Sequence, residues 1–107
     1  MQSNRFLSLL GMCRRAGRLK WGHDTCLTSM REGKARLCLL SADASDRLKR
    51  EFVRAADSGG APKVIETPYT MQQFKDAAGV FAGVLITEDE GFAKRLSELH
   101  QNGSRED

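Results

Sequence analysis

Four cationic side chains lie within seven residues near the start of the chain, and cations at that spacing are suited to binding phosphate. They are Arg14, Arg15, Arg18 and Lys20. They fall where a predicted helix ends and a predicted strand begins, so several of them can contact one line of phosphates. The alternative is a solvated helix C-terminus, where Arg and Lys complement the helix dipole. We favour binding, because the excess of positive charge is larger than helix capping needs.

The charge of the whole chain is distributed unevenly and supports this interpretation. Residues 1–36 hold eight Lys or Arg and two acids, whereas residues 37–107 hold nine Lys or Arg and twelve acids. The net charge of +3 therefore divides into +6 for the first third and −3 for the remainder. A surface with this asymmetry favours a polyanionic partner, and a nucleic-acid backbone is the foremost example.

Of four further residues near the basic cluster, three have two interpretations and one has a single interpretation. Trp21, the only tryptophan, can stack on an unpaired base or pack against a sheet. His23 can donate to a phosphate or a base edge, although a hydrogen-bonded residue at a helix start is the stronger interpretation. Asp24 is expected to be a helix N-cap. Lys34 either widens the basic patch or is a solvated strand end.

The sequence lacks the motifs of common catalytic and cofactor sites. It has no glycine-rich dinucleotide or phosphate-binding loop, no GxSxG, no HExxH and no EF-hand loop. The acidic cluster Glu88–Glu90 could bind a divalent ion, but we interpret it as the start of a helix. We therefore predict no enzymatic activity, no cofactor and no bound metal.

Cysteine usage and hydropathy indicate the compartment. The three cysteines, Cys13, Cys26 and Cys38, are odd in number and form no CxxC pair, so we expect buried thiols rather than disulfides. The short apolar stretch near the N-terminus precedes its charges, unlike a signal peptide, and no apolar run approaches the ~20 residues of a membrane span. A soluble, cytoplasmic protein is expected.

The spacing of apolar residues predicts alternating helices and strands. Helices are predicted to begin near Phe6, Gly22, Ser45, Thr70 and Thr87, with capping boxes at Thr70–Gln73 and Thr87–Glu90. Strands are predicted at Arg18–Trp21, Ala35–Ala42, Lys63–Glu66 and Val84–Thr87. This order indicates one α/β domain over residues 1–100, a three-layer α/β/α sandwich with a small mixed sheet. Residues 101–107 are predicted to be a polar tail.

Three segments resemble a known family. They are LGMCRRAGRLKWG (10–22), REGKARLCLLSADAS (31–45) and TEDEGFAKRL (87–96). Together they resemble the kink-turn-binding ribosomal proteins, the L-seven-Ae/L-thirty-e superfamily, in its small bacterial YlxQ-like branch. The resemblance spans roughly residues 5–99. It implies an α/β/α sandwich that binds sharply bent RNA with a glycine-led helix N-terminus and a nearby loop.

The resemblance also assigns individual positions. Gly22 matches the glycine that opens the RNA-binding helix, and Lys20 matches a basic position just before it. Asp24 and Thr25 stand where family members have an Asn-Glu pair, and Thr28 stands where they have a Lys. An ionised Asp24 has no side-chain donor. These differences predict weaker binding of a standard kink-turn than a usual family member shows.

The second family contact region is a loop, which is matched by residues 79–83 and includes Val80 and Phe81. We therefore predict RNA contacts at Arg14, Arg15, Arg18, Lys20, Gly22, His23, Asp24, Thr25, Thr28, Lys34, Val80 and Phe81. The predicted function is non-enzymatic binding of structured or ribosome-associated RNA, such as ribosomal RNA. The alternative is a protein-interaction adaptor on the same fold that has lost kink-turn recognition. Salt-sensitive RNA affinity distinguishes the two.

Overall fold

The computed structural model describes residues 4–58 and 62–105, with side chains described for residues 4–57 and 62–101. The middle of the loop predicted at residues 58–62 lies outside the described residues. The elements in chain order are α1 (Arg5–Arg15), β1 (Lys20–Trp21), α2 (His23–Arg31), β2 (Leu37–Leu40), α3 (Asp46–Ser58), β3 (Lys63–Glu66), α4 (Met71–Ala78), β4 (Val84–Thr87) and α5 (Glu90–Arg105). Each of the predicted helices and strands is thus present.

The sheet is mixed, as predicted. Its strand order is β1-β4-β2-β3, with β2 and β3 parallel and the other two pairs antiparallel. The last strand in sequence, β4, therefore lies between β1 and β2. Helices α1, α4 and α5 cover one face of the sheet, and α2 and α3 cover the other. This arrangement confirms the single-domain three-layer α/β/α sandwich.

The central strand β2 is buried on both faces, which explains its continuous apolar sequence. Leu39 belongs to the core cluster that contains Phe74 of α4, whereas Cys38 belongs to the cluster that contains Phe52 of α3. Alternate residues of the strand thus hold the two helical layers onto one sheet.

Two predicted helix starts are confirmed by their side-chain hydrogen bonds. The Ser45 hydroxyl accepts from the backbone N–H of Leu48 at 3.1 Å. The Thr70 hydroxyl accepts from the N–H of Gln73 at 3.2 Å, and the Gln73 side chain accepts from the N–H of Thr70 at 2.9 Å. Both helices begin where the sequence supplies a short oxygen-bearing side chain.

The predicted capping box at Thr87–Glu90 is wrong. Thr87 is the buried last residue of β4 and pairs with Leu37, so it cannot also begin a helix. Asp89 takes that role, because its carboxylate accepts from the N–H of Phe92 at 2.8 Å. The Thr87 hydroxyl accepts from the N–H of Asp89 at 3.1 Å and shapes the turn between strand and helix.

Helix α5 ends at Arg105, inside the stretch 101–107 predicted as a polar tail. The division of the chain into a domain of residues 1–100 and a tail stays a prediction. Within residues 4–58 and 62–105, no helix combines the length and the apolar character that crossing a membrane demands.

Helices α1 and α4 are in close backbone contact at Gly11. A Cβ atom at this position would lie 2.6 Å from the backbone carbonyl oxygen of Ala77, closer than real Cβ contacts. Glycine therefore permits the backbone of α1 to rest against the backbone of α4. This contact holds the helix that carries Arg14 and Arg15 against the rest of the domain.

Candidate nucleic-acid interface

The junction between β1 and α2 is fixed by its pairing with β4. Lys20 pairs with Ile86 and Trp21 with Leu85, and the Gly22 N–H donates to the Val84 carbonyl oxygen at 3.3 Å. Gly22 is the N-cap of α2 and has a φ of +96°, which side-chain-bearing residues rarely adopt. Because glycine brings no capping side chain, the N–H groups at the start of α2 are left for an external acceptor.

The prediction that Asp24 caps this helix is wrong. Helix α2 begins at His23, so Asp24 lies inside its first turn and Gly22 holds the capping position. The Asp24 carboxylate is fully exposed and lies 2.8 Å from Nδ1 of His23. Its negative charge at a helix N-terminus is favourable to the helix but opposes a phosphate at the same place.

His23 is hydrogen-bonded through both ring nitrogens, which confirms the interpretation as a satisfied residue at a helix start. Nδ1 contacts Asp24, and Nε2 lies 2.9 Å from a carboxylate oxygen of Glu51 on α3. The hydrogen bond to Asp24, followed by that to Glu51, raises the pKa of His23. The ring also meets the Phe52 ring edge-on at 5.8 Å, so His23 ties the start of α2 to α3.

A shallow cavity beside α2 brings together predicted contact residues from separate segments. Its volume is about 370 Å³, and it is lined in part by Lys20, Asp24, Thr25, Thr28 and Lys34. Lys34 follows the C-terminal end of α2, whereas Gly22 lies at its N-terminal end. The cavity therefore runs along α2, and the helix brings these residues together. The family resemblance predicts Lys20, Asp24, Thr25 and Thr28 as contacts and the charge pattern predicts Lys34, and the fold places all five along one groove.

Both lysines of this groove have a carboxylate partner. Lys34 Nζ lies 3.3 Å from a carboxylate oxygen of Glu32, and Lys20 Nζ lies 3.3 Å from Oε2 of Glu88. The same Glu88 oxygen accepts from the Ser29 hydroxyl at 2.6 Å. The hydrogen bond from Ser29, together with Lys20, lowers the pKa of Glu88. The groove therefore carries a mixed charge rather than a purely positive one.

The arginines of the basic cluster are arranged differently from the lysines. Arg14, Arg15 and Arg18 are exposed, and none of them forms an ion pair with another residue in 4–58 or 62–105. The Arg14 guanidinium lies 4.8 Å from the centroid of the Trp21 ring. This distance is typical of a cation–π contact.

The edge strand separates Lys20 from Arg14. Successive side chains of a strand point to opposite faces, so Trp21 lies on the α1 side with Arg14, whereas Lys20 lies on the α2 side with Glu88. Lys20 and the Arg14–Trp21 contact thus lie on opposite faces of β1. Arg14, Arg15 and Arg18 are the predicted cations whose charge is not paired with a carboxylate among residues 4–58 and 62–105.

The second predicted contact region, residues 79–83, precedes β4. Its end lies beside the start of α2, because Val84 accepts the hydrogen bond from Gly22. Within this loop Val80 is buried in the core, whereas 60% of the Phe81 surface is exposed. Of the two residues predicted there, Phe81 is thus the one that a partner can reach.

Two carboxylates that contact residues of the candidate site could not be predicted from the sequence. Glu88 was interpreted only as part of a helix start, and no local signal pointed to Lys20, 68 residues away. Glu51 contacts His23 across 28 residues and likewise carries no pattern of its own. Both contacts arise from the packing of α2 against β4 and α3.

Comparison with known proteins assigns the family. Residues 4–70 match the profile of the ribosomal protein L7Ae/L30e/S12e/Gadd45 family. The chain belongs to this family. The superfamily expected from the sequence resemblance is therefore confirmed. No protein with a curated function matches the chain.

Two solved structures are similar to this member of the family. A protein with unknown function from Bacillus halodurans is 28% identical, with a TM-score of 0.82, covering 92% of this chain and 99% of the other. A 15.5kD RNA binding protein from Giardia lamblia is 22% identical, with a TM-score of 0.67, covering 90% of this chain and 82% of the other. The second likeness shows a shared fold.

Proposed function

We propose that this protein binds structured RNA, including ribosome-associated RNA, in the cytoplasm and without catalysing a reaction. The family supports this proposal, as does the fold shared with an RNA binding protein from Giardia lamblia. The bacterial YlxQ-like branch remains our assignment within the family. Its support is the resemblance of residues 10–22, 31–45 and 87–96, and the likeness to a bacterial protein along nearly the whole of both chains agrees with a small bacterial member.

One observation carries the proposal. Arg14 lies over the ring of Trp21, which directly precedes the uncapped start of α2, and two further exposed arginines, Arg15 and Arg18, lie between them in the sequence. Guanidinium groups bind phosphate bidentately, and a helix N-terminus supplies oriented N–H donors. The two features together suit an RNA backbone that passes over the end of α1 and reaches the start of α2.

The test is RNA binding as a function of salt. If the arginines neutralise three or four phosphates, the slope of log affinity against log salt is about −2 to −4. The charge-reversed variant Arg14→Glu, Arg15→Glu, Arg18→Glu should lose binding and keep its thermal stability, because exposed charge changes rarely cost much.

A matched control is available on α3. Arg47, Arg50 and Arg54 are exposed on the opposite layer, and their reversal to Glu changes the net charge by the same amount. We expect this control to retain most of the affinity. Equal loss in both variants would show that net charge alone drives binding, and the absence of RNA binding at low salt would overturn the proposal.

The second candidate is a protein-interaction adaptor, and a specific observation favours it. Both lysines of the α2 groove are paired with a glutamate, and Phe81 is exposed in the neighbouring loop. Such a surface suits an apolar partner better than a phosphate. In that case Phe81→Ala weakens capture of the partner, and salt-sensitive RNA affinity is absent.

A further inference from the structure

We propose that Trp21 and Arg14 form a stacking platform that receives one unpaired nucleobase. The inference rests on the proposed RNA binding and adds a contact that the family pattern does not assign to these positions. It concerns the α1 face of the edge strand rather than the α2 groove. Its ligand is a base in single-stranded or looped RNA, recognised by its aromatic face.

The position of Trp21 on the sheet makes its ring available. Strand β1 is at the edge of the sheet that residues 4–58 and 62–105 form, where it pairs with β4, so within those residues one side of Trp21 borders no further strand. The side chain remains 39% exposed. Tryptophan is usually well buried in folded proteins. The partial exposure of Trp21 therefore leaves apolar surface that a partner can cover.

The ring is also held in place. Its backbone pairs with Leu85, and the Arg14 guanidinium lies 4.8 Å from its centroid. The turn that brings α1 back to β1 is closed by the Arg18 N–H, which donates to the Cys13 carbonyl oxygen at 3.0 Å. A preorganised aromatic ring loses little conformational entropy when a base stacks on it.

The charges around the ring match a nucleotide rather than a neutral partner. Residues 12–21 contain four Lys or Arg and no acid. Of these, Arg14, Arg15 and Arg18 are exposed on the segments that lead to Trp21. An aromatic ring flanked by cations is the combination that binds a base together with the phosphates on either side of it.

The other exposed aromatic residue supplies a contrast within the same chain. Phe81 is more exposed than Trp21, but its loop, residues 79–83, contains no charged residue. A base stacked on Phe81 would have no cation of that loop to hold its phosphates. The charge pattern therefore favours Trp21 as the base-binding aromatic residue.

Trp21 is the only tryptophan in the chain, so its own fluorescence reports on the stacking. The full chain is titrated with a hairpin RNA whose apical loop has about eight unpaired nucleotides, which suits a single-strand site. The same hairpin with an abasic loop keeps the number of phosphates and removes the bases. We expect the first RNA to quench Trp21 fluorescence and to bind about tenfold more tightly than the second.

Variants assign the effect to the ring. With labelled RNA and anisotropy detection, Trp21→Ala should abolish the difference in affinity between the two hairpins. Trp21→Phe should retain part of it, and the control Val53→Ala, at an exposed apolar residue of α3 outside the predicted site, should retain all of it. A circular dichroism spectrum and a melting curve establish that each variant is folded.

The outcomes separate this inference from the proposed function. If both hairpins bind equally well and Trp21 fluorescence is unchanged, stacking is overturned while RNA binding stands. If the difference between hairpins persists in Trp21→Ala, the base binds elsewhere and the inference is wrong. If neither hairpin binds at low salt, the proposed function itself fails.

Discussion

The ammonium group of Lys20 lies 3.3 Å from the carboxylate of Glu88, at the opening of the groove beside α2. Lys20 is the basic residue that the family resemblance places next to the RNA-binding helix. In this chain an internal carboxylate pairs with that lysine. Glu88 is held there by the Ser29 hydroxyl, so a phosphate that approached Lys20 would compete with Glu88 for its charge.

Replacing Glu88 by Gln should therefore increase RNA affinity. The amide retains a hydrogen bond with Ser29 but no longer neutralises Lys20, and we expect a gain of about three- to tenfold at low salt. The salt dependence should become steeper by about one phosphate contact. Electrophoretic mobility shifts at several salt concentrations measure both the RNA affinity and its salt dependence. Glu90→Gln removes an exposed acid two residues away, and an equal gain there would contradict a specific role for Glu88.

Restoring the family residues should strengthen binding to kink-turn RNA. The triple variant Asp24→Asn, Thr25→Glu, Thr28→Lys supplies a side-chain donor and a cation along the α2 groove. A charge-assisted hydrogen bond contributes roughly 1.5–3 kcal/mol, so we expect at least about a tenfold gain, measured by titration calorimetry. A straight RNA duplex should show no comparable gain. Tight, kink-specific binding by the unmodified protein would show that other residues carry the recognition.

Gly11→Ala should destabilise the domain. The added methyl group would meet the Ala77 carbonyl oxygen at 2.6 Å and push α1 away from α4. Overpacking of this kind costs roughly 1–3 kcal/mol, partly offset by the ~1 kcal/mol better helix propensity of alanine. Chemical denaturation gives the free energy of unfolding. Ser8→Ala, at an exposed position of the same helix, should be near neutral, and a Gly11→Ala variant more stable than the unmodified protein would refute the close approach.

The three cysteines should be unreactive in the native protein and should make its stability fall at high pH. Burial raises the pKa of Cys26 and Cys38 from 9.0 to about 12, and it also raises that of Cys13. At a pH between 9.0 and about 12, the thiols of the unfolded chain lose protons that the buried thiols of the folded chain keep. The free energy of unfolding therefore falls as pH rises above about 9.

Thiol labelling and denaturation at several pH values check this expectation. Near pH 8 a disulfide reagent should react only as fast as the protein unfolds, because few buried thiolates exist. Cys38→Ala should reduce the pH dependence of stability, while its cavity lowers stability at every pH. Rapid labelling of one cysteine in the folded protein would contradict the burial.

The elements of the fold were predictable where the signal is local. The apolar run around β2 indicated a strand buried on both faces, and Ser45 and Thr70 marked two helix starts through their own hydroxyl groups. Thr87 misled the prediction because its sequence context resembles a capping box. Pairing of Thr87 with Leu37 keeps it in the strand, so the helix begins after Asp89.

The chemistry of the candidate site was less predictable because it depends on long-range contacts. Charge counting placed Lys20 with the three arginines, but the alternation of β1 puts it on the other face, against Glu88. The partner of His23 on α3 was equally invisible, since Glu51 is 28 residues away. Composition revealed that cations are present, and only the packing revealed which of them are neutralised.

The insertion of β4 between β1 and β2 has a consequence for the order in which the protein is made. All of the predicted RNA contacts lie in residues 14–81, yet among the described residues β1 pairs with no strand except β4, at residues 84–87. A nascent chain that has reached residue 80 already contains Trp21, Gly22 and the α3 residues that contact His23, but it lacks β4. Trp21 and Gly22 acquire their backbone hydrogen bonds to the sheet only after the last strand is synthesised, so incomplete chains carry the basic sequence without the sheet edge that displays it.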